Sequence, residues 1–326
     1  MYPRLLSDSA AFLRDSLNSL PASSYDATLA LMLVVALVMY AASVVHRNYS
    51  WVDRSWSIMP VVYAWIHIGY TLRAGTGHAA LNSAPLMYGA LITLWGARLT
   101  LNFARRGGYS RGHQDHRWTY IRSWRCMRNP LLWELFSFSA IAVFQTALLW
   151  GITLPVMNIP AVAVGGKDVL VGAAILALIF FETLCDEQQQ RFQRGKHAAQ
   201  ARRRGGSADG QQSRTASPGF CITGVFGHSR HLNVFCEGCV WVAVALAALV
   251  HGGFVWWQWA GCATLQLLLR YSTARVTERL SREKYPAYAL YQQTTPMLVP
   301  AVRSTTARTL FLLQQQRQQQ QSRKST

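Results

Sequence analysis

Seven apolar stretches, each close to the ~20 residues that cross the ~30 Å hydrocarbon core of a bilayer, constrain this chain more than any other feature. Polar or basic connections separate them. Two of the stretches contain an acidic residue: Glu134 lies near the start of the fourth, and Glu182 lies near the end of the fifth. The stretches run from Ala27 to Val45, Trp56 to Leu72, Pro85 to Phe103, Leu131 to Leu154, Val169 to Cys185, Val234 to Val250 and Phe254 to Leu269.

The spanning elements are predicted to be helices. Leu, Ala, Val, Trp and Met dominate every stretch, and the period-two alternation of a strand is nowhere sustained. Hydrophobic residues make up 51% of the 326 positions and charged residues only 14%, which is more apolar than a charge-rich soluble surface requires. Because a helix satisfies its own backbone hydrogen bonds in lipid, we predict an all-α fold, a multi-pass transmembrane helical bundle of about seven helices.

Polar segments define the domain organisation. Residues 1–26 mix charged and apolar positions, and we interpret them as an amphipathic lead-in on the lumenal or external side. Residues 27–313 form the predicted membrane domain, which an insertion at residues 195–218 interrupts. This insertion and the Gln-rich tail at residues 314–326 are predicted to be disordered cytosolic segments, because neither has enough apolar residues to bury a core.

The basic residues are distributed asymmetrically. The net charge is +18, from 32 Lys and Arg against 14 Asp and Glu. Alternate connections hold 27 of these 32 residues: 2 in His46–Ser55, 7 in Ala104–Pro130, 8 in Asp186–Arg230 and 10 after Leu269. Since a nucleic-acid footprint need not follow the alternation of helices, this distribution argues against nucleic-acid binding.

The same asymmetry predicts the topology. By the positive-inside rule, the basic connections and the carboxyl terminus face the cytosol, and the amino terminus is lumenal or external. The final residues, Arg323, Lys324, Ser325 and Thr326, resemble a dibasic retrieval signal. We therefore expect a multi-pass protein of the lipid bilayer, with the endoplasmic reticulum as its membrane.

The six cysteines indicate neither a disulfide framework nor a metal site. All of them fall in predicted cytosolic connections or in spans, where no disulfide is needed. Cys236 and Cys239 form a Cys-x-x-Cys pair, but it starts an apolar helix and has no second pair or histidine couple at zinc spacing. We therefore predict no metal and interpret both residues as small side chains packed between helices.

The most informative segment leads directly into the sixth span. It contains His231 and, at spacings i, i+3 and i+7, Arg230, Asn233 and Glu237, which would share one helix face at the membrane boundary. Arg offers a planar donor fork for phosphate, and Asn and Glu supply the donor and acceptor that a carboxamide needs. A phosphate- or amide-bearing cofactor could dock there. The alternative interpretation is that Arg230 binds no ligand and only extends its charged group from the membrane into water, beside other polar residues at the start of a helix.

This segment resembles the Arg-His-Pro-Asn-Tyr-x-Gly-Glu motif of the steroid 5-alpha-reductase superfamily. Four residues match the motif: Arg230, His231, Asn233 and Glu237. Three positions depart from it: Leu232 replaces the Pro, Val234 replaces the Tyr and Cys236 replaces the small residue before the Glu. Without the Pro, nothing fixes the backbone before Asn233, and the missing Tyr removes a hydroxyl.

Further blocks are similar to the little-characterised membrane-protein branch of that superfamily, in its order and spacing and at predicted cytosolic helix ends. They are Asp53 and Trp56; Trp95, Gly96, Arg98 and Leu99; Asp115 and Arg117; Glu182, Asp186, Gln188 and Phe192; and Glu278, Tyr288, Tyr291 and Pro300. The resemblance thus covers most of the chain, from Asp53 to Pro300.

The resemblance implies an enzyme that binds NADPH from the cytosol and reduces a carbon–carbon double bond in a sterol or other lipid. No Gly-x-Gly-x-x-Gly follows a strand, so the cofactor would lie between helix ends rather than on a Rossmann domain. The candidate catalytic residues are Glu237 and Asp53, the latter an acid if burial raises its pKa and otherwise a helix cap. The candidate cofactor-binding residues are Arg105, Arg106, Arg111, Asp186, Arg191, Arg194, Arg230, His231, Asn233 and Tyr288.

Two other functions stay open. Membrane methyltransferases resembling the isoprenylcysteine carboxyl methyltransferase share an Arg-His-Pro segment and a terminal Glu with paired tyrosines, and their cofactor is S-adenosylmethionine. A non-catalytic membrane protein is the other alternative, because three positions of the central motif depart from the superfamily pattern. The arginines also have a simpler interpretation, since topology alone accounts for many basic residues in one connection.

Overall fold

The apolar stretches fold as helices. A computed structural model describes residues 22–74, 82–204 and 218–325. No strand occurs in those three ranges, where the one β-type pairing is an isolated antiparallel bridge between Ser83 and Ala163. The all-α prediction is therefore confirmed.

Thirteen α-helices are described in those ranges, and a π-helical stretch, Ser137–Val143, joins the sixth to the seventh. They are α1 (Ser24–His46), α2 (Trp51–Ser55), α3 (Met59–Ala74), α4 (Ala84–Arg105), α5 (His116–Arg122), α6 (Pro130–Phe136), α7 (Phe144–Gly151), α8 (Gly166–Arg204), α9 (Leu232–Val250), α10 (Ala260–Ser272), α11 (Glu278–Lys284), α12 (Tyr288–Thr294) and α13 (Thr306–Ser325).

Four helical runs are long and apolar enough to cross a membrane: α1, the run Pro130–Asn158 that contains α6 and α7, the apolar part of α8, and α9. They identify the chain as an integral membrane protein. Each of the seven predicted spans overlaps a helix, but α3 has only 16 residues and α10 only 13. The count of seven spans therefore stays a prediction.

Helix α8 continues well beyond its apolar part. It has 39 residues, which corresponds to about 58 Å at the rise of an α-helix. The sequence predicts disorder from residue 195, whereas the structure continues the helix to Arg204 because Ala, Gln and Arg, which favour helices, fill this stretch. The amine of Lys196 also donates a hydrogen bond to the carbonyl of Gly219 (3.0 Å). The rest of the predicted insertion, residues 205–217, lies outside the described residues.

The two ends of the chain also differ from the sequence interpretation where they are described. The predicted lead-in falls mostly outside the described residues, which begin at residue 22, and Ser23 caps α1 by accepting a hydrogen bond from the backbone of Asp26. The Gln-rich tail is helical as part of α13. Gln, Arg and Lys are good helix formers, and the buried Thr309 and Leu313 hold the first turns of α13 in place.

The chain divides into two units. Unit 1 comprises Met1–Val169 and Ala245–Gly261, as far as these are described, and unit 2 comprises Leu170–Val244 and Cys262–Thr326. In unit 1, α3 packs along α4, and α1 packs against α3 and α7. In unit 2, α12 packs against α11 and α13, and α13 reaches the 3-10 turn Gly224–Gly227 that precedes α9.

Candidate functional site

A buried carboxylate, Glu278 at the start of α11, organises a polar cluster in unit 2. Its Oε1 accepts hydrogen bonds from Arg230 Nε (3.0 Å), from the Tyr288 hydroxyl (2.8 Å) and from His231 Nε2 (2.7 Å) in the tautomer that carries its proton there. Its Oε2 accepts from Arg230 Nη2 and from Gln292 Nε2, both at 2.7 Å. We call these five residues the Glu278 cluster.

Four of the five N–H donors of the Arg230 guanidinium are engaged within the protein. Besides its two-point pair with Glu278, Arg230 donates from Nη1 to the backbone carbonyls of Gln292 (3.1 Å) and Thr295. Its own backbone N–H donates to the carbonyl of Pro296 (3.0 Å). Because the carboxyl end of α12 is tied to this guanidinium, Arg230 holds α12 to the segment that enters α9.

The cluster sets the protonation of its acidic members. Burial alone would raise the pKa of Glu278, but the hydrogen bonds from His231, Arg230, Gln292 and Tyr288 outweigh it and hold that pKa well below its usual range. For Tyr288, burial and the neighbouring Glu278 charge both raise the pKa of the phenol. Glu278 is therefore a permanent anion at neutral pH, and Tyr288 stays protonated as its donor.

Aromatic rings pack against the Glu278 cluster. Phe220 stacks on Tyr291, with ring centroids 5.6 Å apart, and meets Tyr288 edge-on at 5.1 Å. The Tyr291 hydroxyl donates to the carbonyl of Phe226 in the 3-10 turn (2.5 Å). The paired tyrosines thus serve different contacts: Tyr288 binds the carboxylate and Tyr291 binds the turn before α9.

Helix α8 is attached to the same turn. Gln188 Nε2 donates to the carbonyl of Thr223 (2.6 Å), and Gln188 Oε1 accepts from the backbone N–H of Val225 (3.1 Å). Further along α8, Lys196 donates to the hydroxyl of Tyr285. Burial raises the pKa of Tyr285, but the Lys196 hydrogen bond and the charges of Lys196 and Lys284 lower it to a greater extent.

Asn233 and Glu237 lie on the first turns of α9. Asn233 is half-buried, and its amide makes no hydrogen bond with any residue in the described part of the chain. Glu237 is buried, with 8% of its surface exposed. The amide of Asn233, two positions after His231, therefore has donor and acceptor capacity left for a ligand.

The positions where the motif departs from the superfamily pattern take part in packing. Leu232 and Cys236 are buried in an apolar cluster with Cys185, Cys221 and Phe226. Leu232 and Cys236 thus place larger or more flexible apolar side chains in the core of unit 2, where the motif has Pro and a small residue.

The other candidate residues on α8 lie along its polar part. Asp186 is half-buried, whereas Arg191 and Arg194 are exposed. Arg191 also lines one end of a shallow groove on α8 whose other end is formed by Phe180 and Leu184. These residues belong to unit 2 but not to the hydrogen-bonded Glu278 cluster.

Asp53 lies in a separate polar cluster of unit 1. Its Oδ2 accepts from the indole N–H of Trp118 (2.8 Å), and its Oδ1 lies 3.4 Å from Nη2 of Arg117, which also pairs with Asp115 (2.9 Å). Burial raises the pKa of Asp53, and the Arg117 charge and Trp118 hydrogen bond lower it to a smaller extent. Asp53 thus connects α2 to α5, and its elevated pKa is compatible with the acid role expected from the sequence.

The remaining candidates, Arg105, Arg106 and Arg111, lie at the end of α4 and in the loop after it, and all three are exposed in unit 1. The structure therefore brings together Arg230, His231 and Tyr288 in one cluster, and it distributes the other candidates over two units.

Glu278 is the residue that sequence reasoning did not select, although it belongs to the resemblance pattern. A signal was present: Glu278 is one of two acids in the basic stretch at residues 270–284, which also holds Arg270, Arg275, Arg279, Arg282 and Lys284. The contacts of Arg230 with the backbone carbonyls of Gln292 and Thr295 had no such signal, because every residue has a carbonyl and a sequence does not show which of them is a partner.

Comparisons with known proteins give a family match and one similar protein. The family described as "Protein of unknown function (DUF1295)" matches residues 39–295. The chain is also 29% identical over 269 residues to "Uncharacterized protein C594.04c" of Schizosaccharomyces pombe, covering 81% of this chain and 76% of the relative. No solved structure matches. Because the family match extends over well more than half of the sequence, this chain belongs to the DUF1295 family.

Proposed function

We propose that this protein is a membrane-embedded, NADPH-dependent reductase of a carbon–carbon double bond in a sterol or another lipid, resident in the endoplasmic reticulum with a cytosolic carboxyl terminus. One observation carries the proposal. Arg230, His231, Glu278 and Tyr288, which are distant in sequence and belong to the superfamily pattern, converge in one buried polar cluster at the start of the apolar helix α9.

The residues present fit such a cofactor in a specific way. Arg230 has its donors engaged by Glu278 and two carbonyls, so its role in the proposal is to position the entry to α9. The amide of Asn233, which has no partner among the described residues, would pair with the nicotinamide carboxamide. The exposed Arg191 and Arg194 would bind phosphates as charge-assisted donors.

The chemistry follows from these positions. When bound, NADPH would supply the hydride for reducing a polarised alkene at its β-carbon, and an acid of the protein would protonate the position where negative charge develops. Apolar helices such as α9 exclude water from the substrate, which strengthens the polar contacts of the site. Glu237, buried on the same helix as Asn233, and Asp53, with its raised pKa, remain the candidate catalytic carboxylates.

A methyltransferase is the second candidate, because one observation favours it as well. Glu278 and the paired tyrosines Tyr288 and Tyr291 lie together, and that combination is also typical of the isoprenylcysteine carboxyl methyltransferase pattern. In that case the cofactor would be S-adenosylmethionine.

Ligand-induced stabilisation separates the candidates. The full chain is purified in detergent and its melting temperature is measured with NADPH, NADH or S-adenosylmethionine, because a ligand at 100 times its Kd stabilises the folded state by about 2.7 kcal/mol. The reductase proposal expects selective stabilisation by NADPH, which Asn233→Ala abolishes. Gln293→Ala, an exposed amide in the same unit, is the matched control and should leave the response unchanged.

Turnover gives the second measurement. Oxidation of NADPH is followed at its absorbance maximum with cholest-4-en-3-one, a lipid with a polarised double bond, in mixed micelles.

If S-adenosylmethionine alone raises the melting temperature, the assignment changes to the methyltransferase. If no nucleotide changes the melting temperature, the enzyme proposal is rejected in favour of a non-catalytic membrane protein.

A further inference from the structure

An exposed basic surface precedes the second of the four membrane-crossing helical runs. We call residues 120–129 the boundary segment; it contains the end of α5 and a short 3-10 turn, Cys126–Arg128. Arg122, Arg125 and Arg128 are all exposed on it. It belongs to unit 1 and is not part of the Glu278 cluster.

The inner side of the boundary segment is fixed to the unit 1 core. Ile121 and Met127 pack against a buried cluster that contains Tyr49 and Trp133. The guanidinium of Arg122 lies over the Trp133 ring, 5.1 Å from its centroid. The arginines are therefore presented by a packed platform, so that less conformational entropy is lost when a ligand binds.

The boundary segment directly precedes a helical run that is long and apolar enough to cross a membrane. Asn129 caps α6 by accepting a hydrogen bond from the backbone N–H of Leu131 (2.9 Å), so the membrane-crossing run begins directly after it. Leu131 and Leu135 are 76% and 60% exposed, as side chains facing lipid would be. Trp124, 45% exposed, is the kind of residue that favours the interface between hydrocarbon and water.

The positive charge of this surface is not neutralised by any residue in the described part of the protein. Neither Arg122, Arg125 nor Arg128 forms an ion pair with any described residue. The acids on the neighbouring elements are engaged elsewhere: Asp115 pairs with Arg117, and Glu134 accepts the hydroxyl of Tyr49 (3.0 Å). Three guanidinium groups beside the start of this run thus have no counter-charge among the described residues.

We propose that the boundary segment is a binding site for the phosphate headgroups of anionic membrane lipids. Arginine recognises phosphate through a planar fork of donors, and the exposed Trp124 would contact the adjacent glycerol and upper acyl region. This site is independent of the reductase proposal, because it requires no cofactor and uses none of the residues assigned to it. Free phosphate and nucleotides share the phosphate chemistry, and the experiment separates them from lipid.

The test measures the melting temperature of the full chain in neutral detergent as a short-chain lipid is added. Dioctanoyl phosphatidylserine should stabilise the protein at lower concentration than dioctanoyl phosphatidylcholine, inorganic phosphate or NADPH. Each arginine near a membrane surface strengthens lipid binding about fivefold. Replacing Arg122, Arg125 and Arg128 by Gln should therefore raise the half-maximal phosphatidylserine concentration by at least about tenfold.

Two controls keep the result interpretable. Arg282→Gln, Arg303→Gln and Arg308→Gln together remove the same charge from exposed positions elsewhere and should leave the lipid response within twofold. If the triple variant does not fold because Arg122 is lost from the Trp133 ring, Arg125→Gln with Arg128→Gln retains that contact and still tests the site. Equal responses to the two lipids, a stronger response to NADPH that the triple variant loses, or an unchanged response in both boundary variants overturns the proposal.

Discussion

Arg230 and Glu278 are 48 positions apart in the chain, and they meet in a two-point ion pair with distances of 2.7 and 3.0 Å. Only 8% of the Arg230 side chain and 7% of the Glu278 side chain are exposed. A buried pair of this kind is stable only if its remaining donors and acceptors are satisfied. Here three further side chains satisfy the carboxylate and two carbonyls satisfy the guanidinium, so the pair fixes how α11 and α12 meet the start of α9.

The first prediction concerns the removal of this carboxylate charge. Glu278→Gln leaves the guanidinium of Arg230 buried without its counter-charge, which typically destabilises a protein by about 3–5 kcal/mol. We expect a clear fall in the melting temperature of the detergent-purified chain. Glu283→Gln is the matched control, since its pair with Arg279 is exposed and such pairs contribute about 1 kcal/mol or less. Equal effects of the two variants would contradict the role given to Glu278.

The second prediction concerns acid stability. The pKa of Glu278 is far below its ordinary value of 4.5 in the folded protein, although burial alone would raise it, because hydrogen bonds from His231, Arg230, Gln292 and Tyr288 stabilise the anion. A depressed folded pKa contributes stability above the unfolded pKa, and this contribution decreases as the pH falls below it. The melting temperature should therefore decrease progressively below about pH 4.5.

The control for this pH dependence is again the amide variant. Glu278→Gln cannot ionise, so its smaller stability should change less between pH 6 and pH 3 than that of the unmodified chain. If the melting temperature of Glu278→Gln falls at low pH as much as that of the unmodified chain, the acid sensitivity comes from other carboxylates.

Much of the fold could be predicted from the sequence, because its main signal is local. Apolar length and composition predict the helices of the spans, and all seven predicted spans overlap helices. The boundaries at residues 195–204 and 314–325 could not be predicted in the same way, since composition alone did not show that Lys196 and Leu313 anchor these polar helices. The limits of a helix depend on such contacts as well as on its own residues.

The candidate site was predictable to the extent that its residues are adjacent in sequence. Arg230, His231 and Asn233 were found because they share one motif, and Tyr288 because it recurs in the same pattern. The role of Arg230 was not visible, however, since its partners Glu278 and Thr295 come from distant positions. A sequence indicates that an arginine needs an anion, but only the fold decides whether that anion is a ligand or a side chain.

A third prediction tests the close approach of α3 and α4 in unit 1. A Cβ on Gly96 would lie 2.5 Å from Val61 Cγ2 and 2.7 Å from the backbone carbonyl oxygen of Ser57. A backbone atom cannot relieve such a clash by changing its rotamer. Gly96→Ala should therefore destabilise the protein by about 1–3 kcal/mol through overpacking. Gly69→Ala on α3 is the control: nothing lies within 4 Å of its Cβ position, so the higher helix propensity of Ala should leave stability unchanged or slightly raised. Thermal melting in detergent measures both, and a neutral Gly96→Ala would contradict this packing.

The last prediction tests the topology that the basic connections imply. Cys126 is the one exposed thiol among the cysteines of the described residues, and it lies in the connection predicted to face the cytosol. In cells, a membrane-impermeant maleimide should label the protein once the plasma membrane alone is permeabilised, and Cys126→Ser should remove most of the label because the other thiols are buried or half-buried. Ser322→Cys, placed in Cys126→Ser at an exposed position of α13, should restore labelling under the same condition, since the positive-inside rule places both positions on one side. Labelling of only one of these cysteines before the internal membranes are opened would place the boundary segment and α13 on opposite faces, and the cytosolic assignment of the carboxyl terminus would then be wrong.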